Sequence, residues 1–224
     1  MQEISKNIKK KITSMGVPDK AKWLENYIKH GIKSKGLGIP EIRGIVQEAT
    51  QENKLFQLDI SKQIEILNDL MASEYTEDKL AAIIYMQLNW SPLKAQEKLP
   101  LISGWFDNKL ITDWNVCDWL CVRLLTPLIN TAPKETLKEL AEWNKNKNQW
   151  KARASLVPFA QCKTIEKHKK TIHEFAIQLI KREERFCKTA VGWVLREYSK
   201  RDPNYVNEFL REYEKWLTKN MPLI

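Results

Sequence analysis

Trp114 and Asp118 lie four residues apart in the stretch ITDWNVCDWLCVR, residues 111–123. Four residues are about one helical turn, so on a helix the indole and the carboxylate share one face. An indole face attracts cations through its quadrupole, and a carboxylate attracts them through its charge. The pair therefore predicts a site for a cationic ligand or a cationic transition state. An ordinary amphipathic helix, with a half-buried Trp beside a solvated Asp, is the alternative that the spacing leaves open.

Two further helical stretches pair a tryptophan with a charge at similar spacing. Trp150 precedes Arg153 by three residues, and Trp193 precedes Arg196 by the same interval. Most of the nine tryptophans, Trp119 among them, are expected in the core, because large aromatic side chains are mostly buried. The recurrence of the pattern on three helices makes a functional role about as well supported as an ordinary helix face, and the spacing alone leaves both open.

The elements that must position these residues are helices. The chain has 224 residues with only 7 Gly and 9 Pro, and we find no convincing alternation of apolar and polar residues typical of strands. Apolar periodicity and capping residues predict about eleven or twelve helices joined by short turns. The expected bounds are residues 1–15, 19–30 with Asp19 as N-cap, 40–51, 54–73, 76–88, a restart at Pro92, a break near 107–108 before a central helix that runs to 129, then 133–143, 149–161, 164–181, 183–200 and 203–218.

Helix pairs recur at intervals of about 35–40 residues, which is typical of HEAT-like repeats. No stretch is rich enough in Pro, Ser or Gly to mark a linker. We therefore predict an all-α fold, a single-domain α-solenoid of HEAT-like helical repeats over residues 1–224, with the concave face as its binding groove.

The charge balance indicates the kind of partner. Lys and Arg number 37 against 28 Asp and Glu, a net charge of +9, which favours a polyanion such as nucleic acid. The basic residues form clusters at 6–11, 145–153, 163–170 and 181–185. Clusters on successive helices predict a basic concave face that follows a phosphate backbone, although any one of them alone is also typical of a solvated helix face.

Other chemistries lack their signatures. The four cysteines form no CxxC and have no histidines at zinc-ligand spacing, so we predict neither a metal nor a cofactor. The three histidines form no HExxH, and the glycines at 36 and 38 do not form a phosphate-binding loop. No apolar run is long enough for a membrane span or a secretory signal, so a cytoplasmic protein is expected. We also expect a monomer.

Three motifs together resemble the DNA alkylation repair family of AlkD-type alkylpurine DNA glycosylases. They are WNVCD at 114–118, NQWKAR at 148–153 and TAVGWVLREYSKRDP at 189–203. They match the family patterns W-x-x-x-D, N-x-W-x-x-R and G-W-x-L-R-E-Y in order, and the resemblance extends over essentially the whole chain. It implies a HEAT-like solenoid that holds duplex DNA containing alkylated purines and excises cationic N3- or N7-alkylated bases.

The resemblance also implies roles for individual residues. Asp118 corresponds to the catalytic carboxylate, and Trp114 and Trp193 to the two tryptophans that contact the deoxyribose of the lesion. Arg153 corresponds to the arginine that binds the phosphate backbone, and Trp150, three residues before it, is also predicted to bind DNA. The further DNA-binding residues that we predict are Arg196, Lys79, which stands where many relatives have arginine, and Tyr27.

The chemistry of such a reaction is consistent with a single carboxylate. Glycoside hydrolysis usually needs two, one of them to protonate the leaving group. A purine alkylated at N3 or N7 is already cationic and leaves as a neutral base, so Asp118 alone can stabilise the oxocarbenium-like sugar and orient water. The predicted activity is that of a monofunctional glycosylase that does not flip the base. The alternatives are a non-catalytic module of the same fold that recognises damaged or branched DNA, and a scaffold that binds proteins.

Overall fold

The computed structural model describes residues 2–29, 31–89 and 95–217, and in these ranges the chain is helical. The described part contains no strand, and its one β-type pairing is an isolated bridge between Lys33 and Tyr75. The predicted all-α class is confirmed. Thirteen α-helical segments occur in the described ranges, and α7 and α8 among them form one continuous helix through the π-helical turn Cys121–Leu125. The resulting number of separate helices agrees with the prediction.

The chain divides into two compact units, and the prediction of one domain over residues 1–224 stays a prediction. Unit 1 comprises residues 1–94 and 108–119, and unit 2 comprises residues 95–107 and 120–224. The helices of unit 1 are α1 (Gln2–Ser14), α2 (Pro18–Ile28), α3 (Ile39–Glu52), α4 (Ile60–Met71), α5 (Thr76–Asn89) and most of α7 (Trp114–Leu120). Those of unit 2 are α6 (Ala95–Asp107), α8 (Thr126–Thr131), α9 (Pro133–Asn144), α10 (Gln149–Leu156), α11 (Lys169–Ile180), α12 (Arg185–Ser199) and α13 (Pro203–Glu212).

Each unit is built around a helix that is buried on nearly all sides. In unit 1 this helix is α5, whose residues 80–86 are all buried and which packs against α1, α3 and α4. In unit 2 it is α10, whose residues 150–156 are all buried and which packs against α9, α11 and α12. Trp105 and Trp143 lie in the core of unit 2, as expected for large aromatic side chains.

Several helix bounds differ from the prediction for identifiable reasons. The expected helix 54–73 is divided into the 3₁₀ turn Leu55–Gln57 and α4, since Leu58 is extended. Asp19 is not an N-cap, because Pro18 already occupies the first helical position and Val17 is the cap. Other bounds follow from prolines: α10 ends at Leu156, before Pro158, and continues as 3₁₀ turns.

The remaining differences lie at the ends of elements. Residues 165–168 form a 3₁₀ turn before α11, and the last helix ends at Glu212 rather than near 218. Its start is as predicted, because the Asp202 side chain accepts a hydrogen bond from the Tyr205 N–H. The predicted restart at Pro92 lies outside the described residues.

Candidate active site

Helix α7 carries Trp114 and Asp118, and it begins there because Asp113 caps it. An Asp113 carboxylate oxygen accepts a hydrogen bond from the Val116 N–H at 2.9 Å. This contact satisfies one of the N–H groups that the first turn of a helix leaves without a partner. Trp114 and Asp118 are both half-buried and lie one turn apart, so the predicted shared face is present.

Lys79 on α5 holds the segment that leads into α7. Its ammonium donates to the Leu110 carbonyl oxygen at 2.5 Å. Burial lowers the pKa of Lys79, and the negative charge of Asp113 opposes that shift. Burial likewise raises the pKa of Asp113, which is only 2% exposed, against the opposing effects of the Val116 N–H and the Lys79 charge. Lys79 therefore has a positioning role in unit 1, and its predicted contact with DNA stays a prediction.

The indole of Trp114 is oriented by the end of α2. Its Nε1–H donates to the Ile28 carbonyl oxygen at 3.2 Å. The Trp114 and Tyr27 rings also pack edge to face, with their centroids 5.7 Å apart. The last carbonyls of a helix have no partner within the helix, so an indole N–H is well placed to satisfy one. The structure thus brings Trp114 and Tyr27 together, although the sequence pattern around Tyr27 matches the family only loosely.

The backbone beyond α2 turns sharply enough to end the helix at this point. Lys29 has φ 61° and ψ −153°, a backbone conformation that residues other than glycine rarely adopt. Gly31 has φ 68°. This turn ends α2 one residue after the Ile28 carbonyl that Trp114 binds. Strained residues of this kind often lie at functional sites.

Glu77, which the sequence did not single out, organises the turn at residues 34–37 that precedes α3. It is 1% exposed, and its carboxylate accepts hydrogen bonds from the Ser34 hydroxyl at 2.6 Å, the Lys35 N–H at 2.9 Å and the Gly36 N–H at 2.9 Å. The same turn fixes the start of α2, because the Val17 N–H donates to the Lys35 carbonyl oxygen at 2.9 Å. The turn thus binds an anion through its backbone, as glycine-rich loops do, but the anion is internal.

In unit 2, the predicted phosphate ligand Arg153 is a buried link between α10 and α12. It is 5% exposed, and its Nη1 donates to the Phe186 carbonyl oxygen at 2.7 Å and to the Thr189 hydroxyl at 3.0 Å. Trp150 is also buried and packs on the Phe186 ring, with centroids 4.9 Å apart. These contacts support a structural role for both residues, and their predicted contact with DNA stays a prediction.

Trp193 and Arg196 lie on α12 and are more accessible. Trp193 is half-buried and lines a groove of about 490 Å³, together with residues that include Cys162, Glu197 and Arg201. Arg196 is exposed, and its Nε lies 3.6 Å from a carboxylate oxygen of Glu197. The accessible positions of these two side chains are consistent with their predicted contacts to DNA.

The family model of DNA alkylation repair enzymes matches residues 8–221. This chain belongs to that family. A solved structure described as a predicted DNA alkylation repair enzyme from Enterococcus faecalis has the same fold, with a TM-score of 0.76. It is 20% identical, and the match covers 92% of this chain and 96% of that one. No curated protein sequence matches significantly. The chain therefore has a role in DNA alkylation repair, with DNA as its partner.

Lys151 and Arg182, two cations of the basic clusters, are bound by acidic side chains within the protein. Lys151 donates to both carboxylate oxygens of Asp107 at 2.7 and 2.8 Å. Arg182 pairs with Glu184 and also donates to the Asn146 carbonyl oxygen at 2.6 Å. Within the clusters at 145–153 and 181–185, the sequence thus overstates the charge that is available to DNA, whereas Lys163, Lys167, Lys169 and Lys170 of the third cluster are exposed.

The sequence predicted neither a metal site nor a membrane span. Among the described residues, no group of three or more His, Cys, Asp or Glu is arranged to hold a metal ion. The four cysteines are buried and unbridged. Within the same ranges, no helix has the length and apolar character needed to cross a bilayer.

Proposed function

We propose that this DNA alkylation repair enzyme is a monofunctional glycosylase that hydrolyses the N-glycosidic bond of cationic N3- or N7-alkylated purines in duplex DNA. The observation that carries the proposal is the pair on α7. Trp114 and Asp118 are half-buried on one face, and the indole is held in place by the Ile28 carbonyl. A fixed aromatic face beside a carboxylate is suited to binding positive charge.

In the proposed reaction, the bond between C1′ and the purine nitrogen breaks, and its electron pair passes to the purine and neutralises it. The sugar becomes oxocarbenium-like, and a water oxygen adds to C1′ and loses a proton to solvent or to Asp118. A carboxylate about 4 Å from this developing charge contributes roughly 4 kcal/mol at a partly buried site. An indole face adds about 0.5–2 kcal/mol. Water is the only co-reactant, and no base lies in a pocket.

The reaction needs no general acid, because the leaving purine is released without protonation. This explains how one carboxylate suffices where most glycoside hydrolases use two. It also means that the lability of the bond, rather than the shape of a pocket, selects the substrate.

DNA contacts complete the proposal. We assign Tyr27 to the lesion site in unit 1, since its ring contacts Trp114. In unit 2, we assign Trp193 and the exposed Arg196 to DNA, with Arg196 on a backbone phosphate. Phosphate contacts of this kind give affinity that falls as salt concentration rises.

The test is release of 7-methylguanine from a methylated duplex by the wild type, Asp118→Asn and Asp59→Asn. Asp59 is an exposed carboxylate in unit 1, so its substitution is a matched control. We expect the wild type and Asp59→Asn to release base at equal rates, whereas Asp118→Asn binds the duplex and releases none. If all three proteins bind DNA and none releases base, the protein is a recognition module and the glycosylase proposal is wrong.

A further inference from the structure

An aromatic pair on α2 is exposed to solvent. Trp23 and Tyr27 are each 60% exposed, and their rings stack in parallel, with centroids 5.2 Å apart and planes 4° from each other. Among the described residues, few large apolar side chains are so accessible, and adjacent exposed aromatics often mark a binding surface.

The pair is continuous with the candidate active site of unit 1. Tyr27 stacks on Trp23 with its face and meets Trp114 at an edge-to-face angle of 76°. Three rings therefore lead from α7 to the surface of α2. The Tyr27 ring has its centroid 5.2 Å from that of Trp23 and 5.7 Å from that of Trp114, so it connects the two indoles.

The charges around the pair favour a nucleic acid. Lys20, Lys22 and Lys29 are all exposed on or beside α2. Of the two acidic residues of α2, Glu25 accepts a hydrogen bond from the Ser34 N–H at 2.9 Å, and Asp19 is exposed in the first turn. Three exposed lysines therefore stand against one exposed carboxylate. Proteins that bind unpaired bases combine basic residues with exposed aromatic rings, because every base has a face that can stack.

We propose that Trp23 and Tyr27 form a stacking platform for a base that has lost its pairing partner. This inference rests on the proposed function, because release of a purine is what leaves the opposite base unpaired. The platform then holds the product DNA at the site of base loss. A role in helix stability alone is the competing explanation, since aromatic pairs four residues apart also stabilise helices.

The experiment compares three duplexes that share their flanking sequence. One is fully paired, one carries a tetrahydrofuran abasic analogue opposite thymine, and one carries the analogue opposite a second analogue, so that no unpaired base is present. Dissociation constants are measured for the wild type, Trp23→Ala and Trp23→Phe. Phe56→Ala removes another exposed aromatic of unit 1 and serves as the matched control.

We expect Trp23→Ala to weaken binding of the duplex with the unpaired thymine by about fivefold or more, as loss of a stacked base predicts. Binding of the other two duplexes stays within about twofold of the wild type. Trp23→Phe and Phe56→Ala keep most of the affinity for all three.

Two results would overturn the proposal. Equal weakening on all three duplexes would mean that Trp23 contacts the backbone rather than a base. Unchanged affinity with a lower Tm would mean that the pair only stabilises α2. Failure of the glycosylase proposal would appear differently, as a wild type that releases no 7-methylguanine, and it leaves the comparison among the three duplexes readable.

Discussion

Replacing Glu77 by Gln removes the charge that the turn at residues 34–37 is built around. The amide can direct its oxygen towards the Ser34 hydroxyl and the Gly36 N–H, but its NH₂ then faces the Lys35 N–H. One charge-assisted hydrogen bond is lost, and a buried N–H is left facing another donor. The remaining bonds, from the Ser34 hydroxyl, the Gly36 N–H and the Leu37 N–H, become neutral ones, which are roughly half as strong.

The free energy of unfolding should fall by about 2–4 kcal/mol, because losing a buried hydrogen bond to a charged group costs about 1.5–3 kcal/mol and the weakened bonds add to that cost. For a chain of this size the Tm should fall by about 5–15 °C. Thermal unfolding followed by circular dichroism measures this change. The turn holds the start of α2, so the loss should extend to the ordering of that helix.

Glu74→Gln is the matched control. Glu74 lies three residues from Glu77, but its side chain is exposed and pairs with the exposed Lys33. Exposed pairs contribute little to stability, so we expect no measurable change in Tm. If Glu77→Gln unfolds within about 1 °C of the wild type while Glu74→Gln does the same, the buried carboxylate does not organise the turn and the reasoning fails.

Three other predictions come from the structure, and a fourth comes from the proposed reaction. Gly36→Ala should be strongly destabilising, since φ is 76° and a Cβ would overlap the Val17 carbonyl oxygen. Gly44→Ala, where the added Cβ would lie in open space on α3, should raise stability by up to about 1 kcal/mol. Urea unfolding of the two variants and the wild type measures both changes. Asp113→Asn keeps an oxygen for the helix cap. Because burial raises the pKa of Asp113, the wild type should lose stability relative to this variant as the pH rises from about 3.9 through the raised pKa. A stability difference between the two proteins that is constant with pH would contradict this. Arg153→Ala should lower stability by about 1–3 kcal/mol by leaving acceptors on α12 without their donor, and a differential scanning calorimetry trace with unchanged Tm would refute its buried role. The neutral lesion 1,N6-ethenoadenine should be a poor substrate, and its efficient release in a gel assay of abasic products would contradict selection by bond lability.

Local periodicity accounts for what could be predicted of the site. Trp114 and Asp118 share a face because a helix has 3.6 residues per turn, and no distant contact is needed to establish that. Trp150 and Arg153 have a similar spacing, yet both are buried against α12. Spacing predicts that two side chains share a face but not what that face packs against.

The supporting contacts could not be predicted for a different reason. Glu77 is more than forty residues from Ser34 and Gly36. An acidic residue in the first turn of a helix is ordinarily explained by the helix dipole, and Glu77 has that position in α5. Its role follows from the fold, which brings the turn and the start of α5 together.

The position of α2 illustrates how these supporting contacts serve the site. Ile28 is its only buried residue, so little of the helix is held by packing. Instead, hydrogen bonds hold it at both ends: the Val17 N–H donates to the Lys35 carbonyl oxygen before its start, and the Ile28 carbonyl oxygen at its end accepts from the Trp114 indole. Elements with few buried contacts open at low free-energy cost and are often those that contact ligands. A helix held in this way can present Trp23 and Tyr27 to DNA and also fix the orientation of the Trp114 indole. A larger buried apolar face would leave less of the helix exposed, so the buried Glu77 carboxylate and the indole N–H fix its position instead.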